Sequence, residues 1–378
     1  MAQSTFEAWQ EGQIAGLFLI AADKDARQAQ AEVMAKRLAA FVAGAKFNIH
    51  IAIYDFRLDS LTAAPVLAAL RAQDQAGLTI RIAYHRERPA AHLTQQDFAH
   101  MGGDPAPPGT EAFLAALDGT GIERKAIDGH GHLMHNKYVI RDAMTPQAAV
   151  WMGSANFTEG AWSLQENNVL VLNSPDLAQF YETDFWELWT TASITTTGRN
   201  DTGTVEIGGA DVSVFFSPGE GREIDLDIAQ RIGAARKRLL IASMDISSGG
   251  VLGAINDCIG RAGLTVDGIF DGTQMRGVLD DWERSGSPQS RAKSQLFAAI
   301  APHLHSKKST PFAPQAPHDY MHNKLAVVDD AVITGSFNFS NNATKNAENV
   351  LLIASKAIAD RYAAYVSTLT EKYPQMGL

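Results

Sequence analysis

Short apolar runs alternate with longer amphipathic stretches along most of this chain, the pattern of helices stacked on a sheet. Gly16 to Ile20 reads as a strand. Asp25 to Ala45 has no proline and carries apolar residues at helical spacing. Lys46 to Tyr54 alternates and is rich in isoleucine, a strand entering the core. Ala64 to Ala76 predicts a helix with Pro65 in its first turn and Gly77 as its stop. Leu78 to Tyr84 is the next strand. His85 to Gly109 is polar, bears Pro and Gly, and reads as a long surface loop of the kind that often carries function. A helix begins at Glu111 to Leu117. Strands follow after His135, at Ala149 to Met152 and at Val169 to Leu172, and Leu177 to Trp189 is helical.

The order then repeats. Val212 to Phe216 mirrors the opening strand, Ile224 to Lys237 the first helix and Leu239 to Ala242 the second strand. Ile51-Ala52-Ile53-Tyr54-Asp55 returns as Ile241-Ala242-Ser243-Met244-Asp245, and Gly77-Leu78-Thr79 as Gly263-Leu264-Thr265. Gly109–Gly121 and Gln289–Ile300 read as equivalent helices, each preceded by a variable loop. The expected organisation is an N-terminal half over 12–190, a linker over 191–210 rich in Thr and Gly, and a C-terminal half over 211–374. The expected fold is α/β: two tandem α/β/α halves, each on a mostly parallel mixed sheet, packed about a pseudo-twofold axis. A ligand cleft belongs at their interface.

Composition narrows the function classes. A net charge of −10 lacks the footprint of a strongly basic nucleic-acid coat, although local Lys and Arg still set the field inside a cleft. The single cysteine, Cys258, excludes an intramolecular disulfide framework and suits a reducing compartment. The first residues lack the basic region of a secretory signal, and Ile14 to Ala22 is far short of a membrane span. A soluble, cytoplasmic protein is expected.

The duplication is sharpest where chemistry is possible. Met134-His135-Asn136-Lys137 recurs as Met321-His322-Asn323-Lys324, followed by Asp142 and Asp329. Gly153-Ser154-Ala155-Asn156 and Gly335-Ser336-Phe337-Asn338 come next, then Glu166 and Glu348 at the same distance from their glycines. On a strand, residues two apart share a face, so each His and Lys point into one space and the Asn between them points away. Joined, the halves offer two imidazoles and two ammonium groups, a site for phosphate oxygens that needs no metal. Ser154, Asn156, Ser336 and Asn338 add hydrogen bonds. One imidazole attacks phosphorus while the other protonates the leaving oxygen. Glu166 and Glu348 are available to orient the rings.

These paired His-x-Lys-x-x-x-x-Asp motifs, each with Gly-Ser-x-Asn downstream, resemble the phospholipase D superfamily over roughly residues 12–373. The resemblance implies two phospholipase D-like halves and a metal-independent phosphodiesterase or phosphatidyltransferase acting through a phosphohistidine, with no cofactor. It implies His135 as nucleophile, His322 as acid, Lys137 and Lys324 with Asn156 and Asn338 as phosphate ligands, and supporting roles for Asp142 and Asp329. The family's Asn-x-Glu stands at Asn346-Ala347-Glu348. The first half has Leu164-Gln165-Glu166 instead, with Asn167 shifted later. It also has five extra residues around Met144 before Gly153.

Other residues have plainer readings. His130 and His132 form a polar rim rather than a metal pair. Asp55 and Asp245 line the cleft floor or cap strands. Arg86, Arg88, His303, His305, Lys307 and Lys308 guide a polyanion or simply face solvent. Phe157, Trp162, Phe339, Trp186 and Trp189 are core. The expected substrate is a phosphodiester. Nucleic acid, preferably single-stranded, stands first because no membrane-docking helix is evident. Phospholipid is the alternative, and a non-catalytic nucleic-acid-binding module the second. No stable membrane insertion and no obligatory protein partner are inferred.

Overall fold

The computed structural model describes residues 6–87, 108–313 and 316–375. Most of the long polar segment after His85, Arg88 included, lies outside the described residues. In the first half, strands β1 (Phe6–Glu11), β2 (Ile14–Leu19), β3 (Asn48–Ile53), β5 (Thr79–His85), β6 (Glu123–Ile127), β7 (Lys137–Arg141), β8 (Ala149–Gly153) and β10 (Asn167–Leu172) form one sheet. Its order is β1-β2-β10-β8-β7-β3-β5-β6. Two short strands, β4 (Phe56–Arg57) and β9 (Phe157–Thr158), pair beside it.

The second half builds β11 (Gly203–Ile207), β12 (Ala210–Ser217), β13 (Arg238–Ser243), β14 (Thr265–Asp271), β15 (His305–Lys307), β16 (Lys324–Val328), β17 (Ala331–Gly335) and β18 (Glu348–Ala354). Their order, β11-β12-β18-β17-β16-β13-β14-β15, matches the first sheet place for place. The halves are mixed α/β as expected, but not mostly parallel. Within the two eight-stranded sheets only β3–β5–β6 and β13–β14–β15 pair in parallel. The remaining neighbours are antiparallel because they are joined by tight hairpins or run back across the sheet.

Helices α1 (Arg27–Ala43) and α2 (Ser60–Gln75) cover the outer face of the first sheet. Helix α2 starts earlier than its apolar pattern suggests, because Asp59 accepts from the amides of Leu61 and Thr62. Pro65 therefore sits inside the helix rather than in its first turn. Short helices α3 (Thr110–Leu114) and α4 (Glu159–Ser163) follow, then α5 (Pro175–Thr191). In the second half α6 (Gly221–Gly233), α7 (Gly249–Cys258) and α9 (Pro288–Ile300) pack on the outer face. The loop expected ahead of α9 contains a helix, α8 (Gly272–Ser285), capped by Asp271.

The longest-range core lies between the sheets. There α5 contributes Tyr181, Phe185 and Leu188, and α10 (Lys356–Lys372) contributes Tyr362, Tyr365 and Leu369, packed with strand residues of both halves. Each such fully buried large side chain stabilises the fold by roughly 1.5–3 kcal/mol. Trp189 belongs to this core, but Trp186 is 38% exposed, with the Arg81 guanidinium over its ring, so it is not core. Phe157, Trp162 and Phe339 are buried. Among the described residues no helix is long and apolar enough to cross a membrane.

Candidate active site

The two motif strands β7 and β16 begin at the same edge of the inter-half core, and the backbone exchanges hydrogen bonds across the halves there. The His135 amide donates to the Ala347 carbonyl at 2.8 Å, and the His322 amide to the Glu166 carbonyl at 3.1 Å. His135 and His322 line one narrow cavity with Asn156, Asn338, Tyr54, Asp55, Met244 and Tyr320. Its volume of about 60 Å³ admits a compact group and little more. Asn136 and Asn323 turn away from it, to Asp184 and to the Tyr365 hydroxyl.

Gly153 and Gly335 lead into this edge with φ of 157° and 153°. A Cβ there would lie 2.2 Å from the Asn168 carbonyl oxygen and 2.1 Å from that of Asn349, so only glycine lets the strands close. Ser154 and Ser336 then receive the amides of Asn168 and Asn349 at 3.0 Å each. Among the described residues the buried Oδ1 atoms of Asn156 and Asn338 have no hydrogen-bond partner, and both side chains line the cavity.

Each imidazole is held by the opposite half. His135 Nδ1 lies 2.7 Å from Glu348 Oε2. His322 Nδ1 lies 3.0 Å from Asn167 Oδ1, not from Glu166. This corrects the sequence pairing of Glu166 with Glu348. In register, Val169 pairs with Gly153 and Val350 with Gly335, so Asn167 and Glu348 are the equivalent residues. The first half has one more residue between its glycine and the strand, taken up by α4. Glu166 is displaced by one position and buried elsewhere. Its carboxylate accepts from Lys307 Nζ at 2.6 Å, from the Ala21 amide at 3.1 Å and from the Tyr373 hydroxyl. Lys307 is thereby buried in an ion pair and does not guide substrate.

The partners fix the tautomers. The Asn167 amide nitrogen donates to Ala161 O and Gln165 Oε1, so its oxygen faces both Ser154 Oγ and His322 Nδ1. Nδ1 of His322 must therefore carry hydrogen. Glu348 Oε1 accepts from Asn346 Nδ2 at 3.0 Å, leaving Oε2 for His135 Nδ1–H. Both rings thus present Nε2 to chemistry.

Burial, and next the ammonium groups of Lys137 and Lys324, hold both imidazoles well below the usual histidine range. Burial likewise lowers Lys137, brings Lys324 down to about 7 and pushes Glu348 up to about 7. The lysine Nζ atoms donate to the carbonyls of His135 and His322 at 2.5 and 2.6 Å. This is a site of cationic groups short of an anion, and a phosphoryl group would restore their charge.

The remaining residues divide. Asp142 and Asp329 lie at the far end of the motif strands, outside the cavity. Asp142 accepts from the amides of Lys46 and Phe47, and Asp329 from those of Arg236, Lys237 and Arg238, which ties the motif hairpin to the start of β3 or β13. Asp55 is on the cavity wall, held by Arg57 at 2.7 and 2.8 Å. His130 bonds Ser193. Among the described residues no three His, Cys, Asp or Glu side chains are grouped to hold a metal ion. Sequence reasoning missed Tyr54, which packs edge-on to His135 with Lys137 Nζ 5.0 Å from its ring centre. It also missed Phe312, His318 and Tyr320, successive rings on the cavity wall at 5.2 and 5.7 Å. Their place just before Met321 was the available signal.

Comparison with known proteins is consistent with this geometry. The family described as "Cardiolipin synthase, PLD-like domain" matches residues 38–189 and 228–370. A protein named Phospholipase D from Rickettsia bellii is 31% identical over 153 residues, covering 40% of this chain and 65% of that protein. The fold resembles phosphatidylserine synthase of Haemophilus influenzae, with a TM-score of 0.65 and 14% identity over 98% of this chain and 89% of the other. It also resembles polyphosphate kinase from Porphyromonas gingivalis, with a TM-score of 0.52 and 12% identity over 88% of this chain and 47% of the other.

Proposed function

The chain belongs to the phospholipase D superfamily, and from that premise we propose that it cleaves phosphodiesters through a covalent phosphohistidine on His135. The observation that carries this assignment is the unequal pairing of the two imidazoles. When His135 Nε2 attacks phosphorus its ring gains positive charge, which the Glu348 carboxylate on Nδ1–H stabilises. His322 must hold a proton on Nε2 and give it up. The neutral Asn167 amide stabilises its imidazolium less than a carboxylate would, leaving a stronger acid. The bond from Nε2 of His135 to phosphorus forms as the bond to the leaving oxygen breaks, and that oxygen takes the His322 proton. Water then gives its proton to His322 and attacks phosphorus, releasing His135. Lys137, Lys324, Asn156 and Asn338 hold the non-bridging oxygens.

We place an unpaired nucleic-acid strand first among substrates. The partly exposed Phe312 and His318 rings, backed by the buried Tyr320, offer stacking surface beside a slot too narrow for a duplex, and base stacking tolerates any sequence. The second reading is hydrolysis or transfer of a phosphatidyl group, favoured by the relative named Phospholipase D. The test is one assay in EDTA on single-stranded DNA, duplex DNA, RNA and phosphatidylcholine vesicles. Release of nucleotides without release of choline supports the first reading, and the converse supports the second. Mass spectrometry of His322→Asn quenched during turnover should find phosphate on His135; phosphate on another residue overturns the assignment.

A further inference from the structure

The two halves hold the backbone ahead of their motif histidines at matching places but with different side chains. Ile53 of β3 pairs with Tyr84 of β5 and with Lys137 of β7. In the second sheet Ser243 of β13 pairs in the same way with Phe270 of β14 and Lys324 of β16. One step further on, β5 ends at His85 and β14 at Asp271. Asp271 Oδ2 accepts from the Met321 amide at 2.9 Å, and His85 Nδ1 accepts from the Met134 amide at 3.2 Å. These methionines directly precede His322 and His135 and are fully buried. Each amide therefore needs an acceptor supplied by the protein.

The two anchors differ in chemistry. Asp271 also accepts from the amides of Thr273 and Gln274 and from the Ser309 hydroxyl, so it serves a helix as well as the motif. His85 has a single lone pair on Nδ1, and it accepts there only as the neutral ring with hydrogen on Nε2.

His85 also reaches the nucleophile through a row of rings. Its ring centre lies 5.4 Å from that of Tyr54, and the Tyr54 ring lies 4.8 Å from His135. Lys137 Nζ stands 5.0 Å from the centre of the Tyr54 ring. At the corresponding places the second half has Met244 and Asp271, which carry no rings. His85 is 7% exposed and is not among the described residues lining the catalytic cavity. Its influence on the reaction runs through its neighbours.

We propose that His85 is a positioning residue for the nucleophile, fixing the backbone that enters His135 through Nδ1 and bracing Tyr54 against the His135 ring. The proposal rests on His135 as the attacking group, and the test separates the two. In the wild-type protein, long-range ¹H–¹⁵N spectra of the histidine rings, with His85 assigned by His85→Gln, should show hydrogen on Nε2 and a bare Nδ1. His85→Leu removes the acceptor, and His85→Gln supplies one again. With bis(p-nitrophenyl) phosphate at pH 7 in EDTA, kcat of folded His85→Leu should fall roughly ten- to hundredfold, the scale of a displacement of about 1 Å. KM should stay within about threefold, because the substrate's own contacts are kept. His85→Gln should recover kcat to within about fivefold of wild type. The His135 Nδ1–H signal, held by Glu348, should broaden in His85→Leu and return in His85→Gln, while that of His322 persists in both. His85→Met serves if His85→Leu fails to fold. Hydrogen on Nδ1 of His85 in the wild type, wild-type kcat in a folded variant without an acceptor, or equal losses in His85→Leu and His85→Gln overturns the proposal. The ring signals need no turnover, so they stand or fall apart from the role of His135 in catalysis.

Discussion

Replacing Glu348 with glutamine tests the catalytic assignment through a single atom. The Asn346 amide is fixed in orientation, because its oxygen accepts from the Leu133 amide at 3.0 Å while its nitrogen donates to Glu348 Oε1. A glutamine at 348 must keep its oxygen toward that nitrogen, so its own NH₂ meets Nδ1 of His135. The imidazole is then forced to carry its hydrogen on Nε2, the atom we propose attacks phosphorus. A wrong tautomer of this kind costs about 10⁴ in turnover in the Ser-His-Asp setting, equivalent to about 5.4 kcal/mol. If the amide flips instead, two donors face each other in the buried site. At about 1–3 kcal/mol for an unmade buried hydrogen bond, this lowers the active fraction roughly five- to 160-fold. The expected loss in kcat is therefore between about fivefold and 10⁴-fold. The assay is hydrolysis of bis(p-nitrophenyl) phosphate at pH 7 in EDTA, with folding checked by thermal melting. A folded Glu348→Gln protein within threefold of wild type would refute the reasoning.

Other outcomes follow from the same geometry. Asn167→Asp places a carboxylate on His322, which favours its charged form, so the alkaline limb of the pH–rate profile moves to higher pH; an unmoved limb removes His322 as the acid. Glu166→Gln strips the buried Lys307 of its carboxylate. It should lower stability by about 3–5 kcal/mol while reducing kcat per folded molecule far less than Glu348→Gln does. Lys324 sits at about 7 in the free site because of burial, and an anion restores its charge. Inorganic phosphate should therefore bind with net proton uptake at pH 8 and more weakly as pH rises above 7, measured by calorimetry in buffers of different ionisation enthalpy. In the proposed mechanism the lysines supply the charge stabilisation, so turnover should persist after dialysis against EDTA. Activity that falls and returns only with a divalent ion would contradict this.

Much of the architecture was legible from periodicity and repetition. Apolar runs marked the central strands, and two copies of one motif marked a duplicated fold. The hairpin strand β1 and helix α8 were not legible: the first pairs at a sheet edge with little apolar pattern, and the second is mostly polar with one buried residue, Met275. The excess of antiparallel pairing was also hidden, because strand direction depends on where connections cross and not on which residues the strands contain.

By itself the sequence determined which side chains are available for chemistry: two His-x-Lys pairs whose two-residue spacing on a strand commits each His and Lys to one face. It did not determine which residue meets which ring. Counting along the chain paired Glu166 with Glu348, and a single inserted residue makes such counting fail, because a shift of one position on a strand sends each side chain to the opposite face. Only the tertiary structure, by pairing Gly153 with Val169 across the sheet, decided that an amide holds His322 and a carboxylate holds His135.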